Sequence, residues 1–224
     1  MLYKTLRLTV APMIRATWRP NIEGREHIPE TGPAILAVNH LSVADHYFLA
    51  LTTGRHIATM AKIEYFRASG VKGKLVGATV RGLGQVAVDR SGGRKSAQAL
   101  GPSEEVLAEG RLFAIFPEGT RSQDGKLHKG KTGVARLALA SGAPVIPIGM
   151  TGTDKVLPIG KTRPRMAKVN IAIGEPLHFS RYDNLPRDRM LLRAVTDEIM
   201  SRIAELSGQE YVDTYSKRRP SSEQ

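Results

Sequence analysis

Apolar and polar positions along this chain follow two rhythms. Short apolar runs at 33–38, 56–60, 85–88, 112–116 and 144–149 predict buried strands, and 168–173 alternates polar with apolar as a more exposed strand does. Between them, apolar positions at helical spacing predict helices over 42–51, 95–109, 132–140 and 187–206. The second is bent or split at Gly101-Pro102, and the last is ended by Gly208. Strands alternating with helices imply an α/β fold: one domain with a mixed, largely parallel sheet flanked by helices. The expected division is a helix over 1–20, the domain over 21–210, and a loose basic tail over 211–224 that includes Lys217, Arg218 and Arg219. The segment 158–164 reads as a basic loop inside the domain.

The N-terminal segment adds a second kind of pattern. On a helical wheel Leu2, Tyr3, Leu6, Val10, Met13 and Ile14 share one face, while Lys4, Arg7, Arg15 and Arg19 occupy the other. Such a helix suits a membrane interface with its cations toward anionic headgroups. It equally suits packing on its own domain, kinked or started by Pro12. The cations interrupt the apolar run, so it lacks the form of a secretory signal. No apolar stretch in the chain approaches the roughly 18 to 20 residues that span a bilayer.

Charge narrows the partners. With 33 Lys and Arg against 21 Asp and Glu, the chain carries a net charge of +12, which favours anionic partners. Aromatic residues are only 5% of the chain, and no basic run is interleaved with them, so a stacking platform for single-stranded nucleic acid is disfavoured. Nucleic-acid signatures are absent as well. There is no cysteine, hence no disulfide frame, no thiolate nucleophile and no Cys-based metal site; this suits a reducing cytosol.

Chemistry concentrates at two strand ends. His40 follows the run 33–38, at the sheet edge where ligands of open α/β folds bind. A histidine there can take a proton near neutral pH, and a carboxylate partner would fix its tautomer. Asp45 lies five residues on. Within one regular helix the pair would stand about 140° apart, at about 100° per residue, so they meet only if His40 lies in the turn before the helix. Ser42-Val43-Ala44-Asp45 fits a capping box that starts the helix at Ser42. Asp45 therefore either caps its own helix, or caps it and orients His40 at once.

The second strand end carries Phe116-Pro117-Glu118-Gly119-Thr120-Arg121-Ser122. Gly119 lets the backbone turn or approach a ligand, and Arg121 offers a planar fork suited to phosphate. Glu118 would hold that fork or orient a substrate hydroxyl; alternatively it only pairs with Arg121 on a solvated loop. Lys126, Lys129 and Lys131 keep the following stretch basic. A further arginine, Arg90, stands just past the strand 85–88. Gly82-Leu83-Gly84 matches part of a dinucleotide fingerprint, but a strand follows where a helix must open. Gly-x-Ser-x-Gly, a phosphate-binding Walker loop and His-Glu-x-x-His are all missing.

Taken in order, Asn39-His40-x4-Asp45, Gly84-x5-Arg90, Phe116 to Ser122, and Val145-Ile146-Pro147-Ile148 resemble the four motifs of the glycerolipid acyltransferases, in particular the 1-acyl-glycerol-3-phosphate acyltransferases. The likeness extends over about 30–180. Two segments depart from the common pattern: Val86-Ala87-Val88 lacks an aromatic residue before Arg90, and Leu127-His128-Lys129-Gly130 replaces Phe-Lys-Lys-Gly.

What the resemblance implies is direct acyl transfer from a thioester to a lysophospholipid hydroxyl, giving phosphatidic acid. His40 would be the general base and Asp45 its orienting partner. Arg90, Arg121 and Lys131 would bind the acceptor phosphate; Asn39, Glu118, Gly119 and Thr120 would shape the site; Val145, Ile146 and Pro147 would line the acyl-donor side. No metal or cofactor is implied, since the acyl-CoA or acyl carrier protein thioester is a substrate. The resemblance also favours a peripheral or monotopic position on the cytoplasmic membrane face, held by 1–18 and by basic surface. The competing readings are a different lysolipid or lipid-linked acceptor and, outside enzymes, a non-catalytic lipid-binding protein.

Overall fold

The computed structural model describes residues 2–62, 86–88 and 100–216. In chain order these form α1 (Leu2–Trp18), β1 (Asn21–Glu23), β2 (Ala34–Val38), α2 (Asp45–Leu49), β3 (Ile57–Lys62), β4 (Val86–Val88), α3 (Gly101–Ala108), β5 (Leu112–Ile115), β6 (Leu127–His128), α4 (Gly133–Ser141), β7 (Val145–Thr151), α5 (Thr153–Val156), β8 (Asn170–Ile173), α6 (Arg189–Ser207) and β9 (Tyr211–Val212). Among the described residues the main sheet has seven strands in the order β1-β8-β7-β2-β5-β3-β4. Strands β7, β2, β5, β3 and β4 are mutually parallel, whereas β8 runs antiparallel to β7 and carries β1 parallel to itself. The α/β class and the mixed, mostly parallel sheet are as expected from the alternation of patterns.

All five residues of β2 are buried, because the strand lies between β5 and β7 with both faces covered. Alternation along each strand divides the core in two. Ile35, Ala37, Phe113, Ile115 and Val145 meet α3, α4 and α6 on one face. Leu36, Val38, Leu112, Ala114, Ile146 and Ile148 meet α2, α5 and Ile171 on the other. Close packing of α6 on β7 requires Gly149: a Cβ there would stand 2.4 Å from the Ser207 nitrogen. Asp188 caps α6 by accepting the Leu191 N–H at 2.8 Å, and Gly208 ends it in the left-handed conformation at φ 64°.

Four differences from the sequence-based expectations have local causes. Helix α2 is regular only over Asp45–Leu49, because ahead of it the chain turns tightly: the Asp45 N–H bonds Ser42 O and the Ala44 N–H is taken by Ser42 Oγ. The expected loose tail begins with an ordered strand: Tyr211–Val212 pairs with Leu127–His128, and Lys129 N–H donates to Val212 O and Thr214 O. Asn21–Glu23 is too short for its pattern to register. Within α1, Ala11, Ile14 and Trp18 pack on the core while Met13 is 68% exposed, so the face expected as one apolar stripe is divided. No helix of the described residues is long and apolar enough to cross a membrane. Arg90, the segment 95–99 and Lys217, Arg218 and Arg219 lie outside the described residues.

Candidate active site

His40 lies in the turn between β2 and α2, which is the arrangement its five-residue spacing from Asp45 demands. Nδ1 of His40 stands 2.7 Å from Asp45 Oδ2. A carboxylate oxygen only accepts, so Nδ1 carries the hydrogen and Nε2 is the ring atom left to take a proton. Asp45 is fully buried, and the same Oδ2 accepts the N–H groups of Leu41 at 2.8 Å and Ser42 at 2.9 Å. Capping and orienting are thus performed by one oxygen. The exchange at Ser42 differs from a standard capping box: Ser42 Oγ accepts the Ala44 N–H at 3.1 Å, while the Asp45 N–H goes to Ser42 O. Ser42 Oγ then donates to Leu157 O at 2.6 Å, fastening the turn to the segment after α5.

The block after β5 closes around His40 from three directions. The Phe116 ring stacks on the imidazole with centroids 4.1 Å apart and planes 26° apart. Glu118 Oε1 accepts the His40 backbone N–H at 3.1 Å, and the Ser122 N–H donates to His40 O at 2.7 Å. The other Glu118 oxygen accepts the His128 N–H at 3.0 Å. Glu118 is 2% exposed, and burial pushes its carboxyl up to about 7, against the opposing pull of the two backbone N–H donors. The Glu118–Arg121 pair, one of the readings the sequence left open, is not formed among the described residues: both carboxylate oxygens hold backbone N–H groups. Glu118 buttresses the histidine, not the arginine.

Arg121 lies in the short span between these two attachments to His40, half-buried, and no described residue accepts a bond from its guanidinium. Thr120 beside it is also half-buried. Gly119 adopts φ 73°, and a Cβ there would lie 3.0 Å from Lys131 Nζ and 3.2 Å from its Cδ and Cε. Lys131 thus crosses over Gly119, and its own N–H donates to Pro117 O at 2.8 Å. Lys131 is thereby brought beside Gly119, two residues from Arg121 in the segment that bonds the His40 backbone.

Asn39 supports this loop from below. It is 1% exposed; its Oδ1 accepts the Met150 N–H at 2.7 Å and its Nδ2 donates to Met150 O at 2.8 Å and Gln209 Oε1 at 2.6 Å. Val145, Ile146 and Pro147 require correction. Val145 and Ile146 are fully buried on opposite faces of β7, and Pro147 is buried, paired with Ala37 on one side and accepting the Gly174 N–H on the other. They sit toward the start of a central strand, several residues short of the edge that carries His40, and form core instead of a wall of the site. Pro147 falls between the Val145–Leu177 bridge and the Ile148–Ile173 pair, where the ladder to β8 is interrupted and no N–H is required of it.

Three participants carried no signal of this role in the sequence. The N–H groups of Ser122 and His128 act through the backbone, which residue type does not encode. Gln209 reaches Asn39 across 170 positions. Phe116 was part of the block, but its stacking depends on where β5 ends relative to β2.

A family model described as "Acyltransferase" matches residues 19–151. A chloroplastic 1-acyl-sn-glycerol-3-phosphate acyltransferase of Arabidopsis thaliana is 33% identical over 170 residues, which cover 75% of this chain and 46% of that protein. A 1-acyl-sn-glycerol-3-phosphate acyltransferase of Bacillus subtilis is 29% identical over 192 residues, covering 83% of this chain and 86% of that protein. The crystal structure of PlsC, the 1-acyl-sn-glycerophosphate acyltransferase of Thermotoga maritima, superposes with a TM-score of 0.65 at 28% identity, over 91% of this chain and 82% of that one. The chain spans about half the length of the plant relatives, 46% and 51% of two of them.

Proposed function

This chain belongs to the acyltransferase family, and from that premise we propose that it moves an acyl group from a thioester to the free hydroxyl of 1-acyl-glycerol-3-phosphate, forming phosphatidic acid. The names borne by its relatives support this choice of acceptor. The observation that carries it is the 2.7 Å contact between His40 Nδ1 and a buried Asp45, with an arginine that pairs with no described residue in the segment that bonds the His40 backbone.

In this reading His40 Nε2 takes the proton of the acceptor hydroxyl as its oxygen attacks the thioester carbonyl carbon. The new C–O ester bond forms, the C–S bond breaks, and the proton on His40 passes to the departing thiolate. Asp45 fixes the tautomer and stabilises the imidazolium formed on the way. Arg121, with Lys131 beside Gly119, holds the acceptor phosphate by charge-assisted hydrogen bonds; Arg90 is proposed as a further ligand. The thioester is carried by coenzyme A or an acyl carrier protein and is consumed, so no resident cofactor enters the scheme. The enzyme is a peripheral protein of the cytoplasmic membrane face, since its acceptor is an amphiphile of the bilayer.

Purified protein offered a panel of lysolipids with both donor types, and products read by mass spectrometry, tests the assignment. Phosphatidic acid from the phosphate-headed acceptor is the expected product. Turnover of phosphate-free or zwitterionic lysolipids in preference to it would overturn the choice of acceptor.

A further inference from the structure

The connection from β7 to β8 carries an unusual excess of positive charge. Between Gly152 and Lys168 there are five basic residues, Lys155, Lys161, Arg163, Arg165 and Lys168, against one acid, Asp154. All five are exposed. Elsewhere among the described residues Arg111, Lys126, Lys129, Arg181, Arg193 and Arg202 each pair with a carboxylate. None of the loop's five does. In their midst Met166 is 70% exposed, an apolar side chain held in water between cations.

The loop is fastened at both ends to elements that matter. Ser42 Oγ of the catalytic turn donates to Leu157 O at 2.6 Å, and Trp18 Nε1 at the end of α1 donates to Arg165 O at 2.8 Å. Trp18 also meets the Phe48 ring of α2 edge-on at 6.2 Å. Strand direction places all of this at one side of the sheet: β7 ends, β8 begins, β1 begins after α1, and β2 delivers His40 at the same edge. The exposed Val43 and Tyr47 of the catalytic segment belong to that edge too.

We propose that residues 157–168 form a second lipid-contacting element, in which Met166 enters the interface of an anionic bilayer while Lys161, Arg163, Arg165 and Lys168 face its headgroups. Long cationic side chains covering an inserted apolar one is the arrangement interfacial segments adopt. An acidic protein partner would match the charge but leaves Met166 unexplained. The inference rests on the peripheral-membrane reading and extends it: α1, this loop and the catalytic turn touch one another at one edge of the sheet, so the bilayer surface meets the protein beside His40.

The chain has no cysteine, so Met166→Cys in the full protein takes a single environment-sensitive dye. With vesicles of phosphatidylcholine containing anionic phosphatidylglycerol, its emission is expected to rise and shift blue. Lys161→Gln, Arg163→Gln, Arg165→Gln and Lys168→Gln together are expected to weaken vesicle binding about ten-fold or more at moderate salt, while turnover of a short-chain, freely dissolved acceptor persists. Unchanged dye emission on vesicles that do bind the protein would overturn the loop's role and leave the peripheral reading standing. Vesicle binding by the quadruple variant equal to wild type would do the same, as would loss confined to turnover of an acidic carrier-protein donor. Failure of the wild-type protein to bind any vesicle would overturn both.

Discussion

Glu118 accepts the backbone N–H of His40 with one carboxylate oxygen and the N–H of His128 with the other. A carboxylate supplies two acceptors; a protonated carboxyl or an amide supplies one acceptor and turns a donor toward the second N–H. The buried environment and the clasp therefore make opposite demands. Burial favours the neutral acid, and the two N–H groups favour the anion.

This conflict gives a signed pH dependence. The Glu118 carboxyl is raised from 4.5 in the unfolded chain to about 7 in the fold. The folded state holds the proton more tightly, so the residue's contribution to stability is fully present below about 4.5 and is lost as pH rises through about 7, by an amount on the order of 3 kcal/mol. Glu118→Gln removes the titration. Thermal unfolding of both proteins at pH 5 and pH 8 should show the variant gaining on wild type at the higher pH. Its turnover per folded molecule should fall at pH 8, where wild-type Glu118 is ionised, through a lower kcat with little change in the donor KM. At pH 5, where the neutral acid offers the same single acceptor, it should come close to wild type. A stability difference that does not vary with pH would contradict the account.

Asp45→Asn separates charge from geometry. An amide oxygen in place of Oδ2 keeps acceptors for His40 Nδ1, Leu41 and Ser42, and the amide nitrogen would occupy the position of Oδ1, which has no partner among the described residues. Melting should change modestly, by about 1 to 2 kcal/mol. Turnover should fall by about 10² to 10⁴, close to the loss in His40→Ala. A variant retaining most of its turnover would remove Asp45's charge from the mechanism.

Arg121→Ala should act on the acceptor alone. Its kcat/KM for the phosphate-bearing lysolipid should drop about ten- to a hundred-fold, as expected for a lost charge-assisted pair. A monoacylglycerol lacking the phosphate should be used no worse by the variant than by wild type. Equal losses on both would show that Arg121 supports the loop, not the ligand.

Gly119→Ala meets two obstacles that a double variant resolves. The left-handed backbone costs about 1 to 2 kcal/mol for any L side chain, and the added methyl meets the Lys131 side chain at 3.0 to 3.2 Å. In a Lys131→Ala background only the first cost remains. Chemical denaturation across the four-member cycle should return a smaller penalty for Gly119→Ala in that background. Strict additivity would exclude the contact as a source of strain.

The α/β class, most strands of the main sheet and the two blocks of the site were readable because buried runs and helical spacing are local properties. His40 and Asp45 could be paired from five residues because a break at Ser42 was visible between them. What joined the blocks was not readable. For Glu118 the sequence leaves a pair with Arg121 and a substrate hydroxyl both open, yet a carboxylate just past a strand is carried to whatever the neighbouring strand end presents, and here that is a backbone N–H. Val145, Ile146 and Pro147 were assigned to a site wall by resemblance, while the register of β7 against β2 puts them in the core. Met13 shared a wheel face with Ile14, but docking of Trp18 and Ile14 on the core set which part of that face stayed open to solvent.

Asn39 has one more consequence. Its amide gives and receives with Met150 as a peptide group would, so the rung of the ladder beyond Val38 is completed by proxy. Strand β2 ends early in backbone terms without leaving its neighbour unpaired. The main chain of His40 is thereby released from sheet duty and offered to a loop that arrives almost eighty residues later, and the reactive ring inherits the stiffness of the sheet while hanging on a segment free to be shaped by something else.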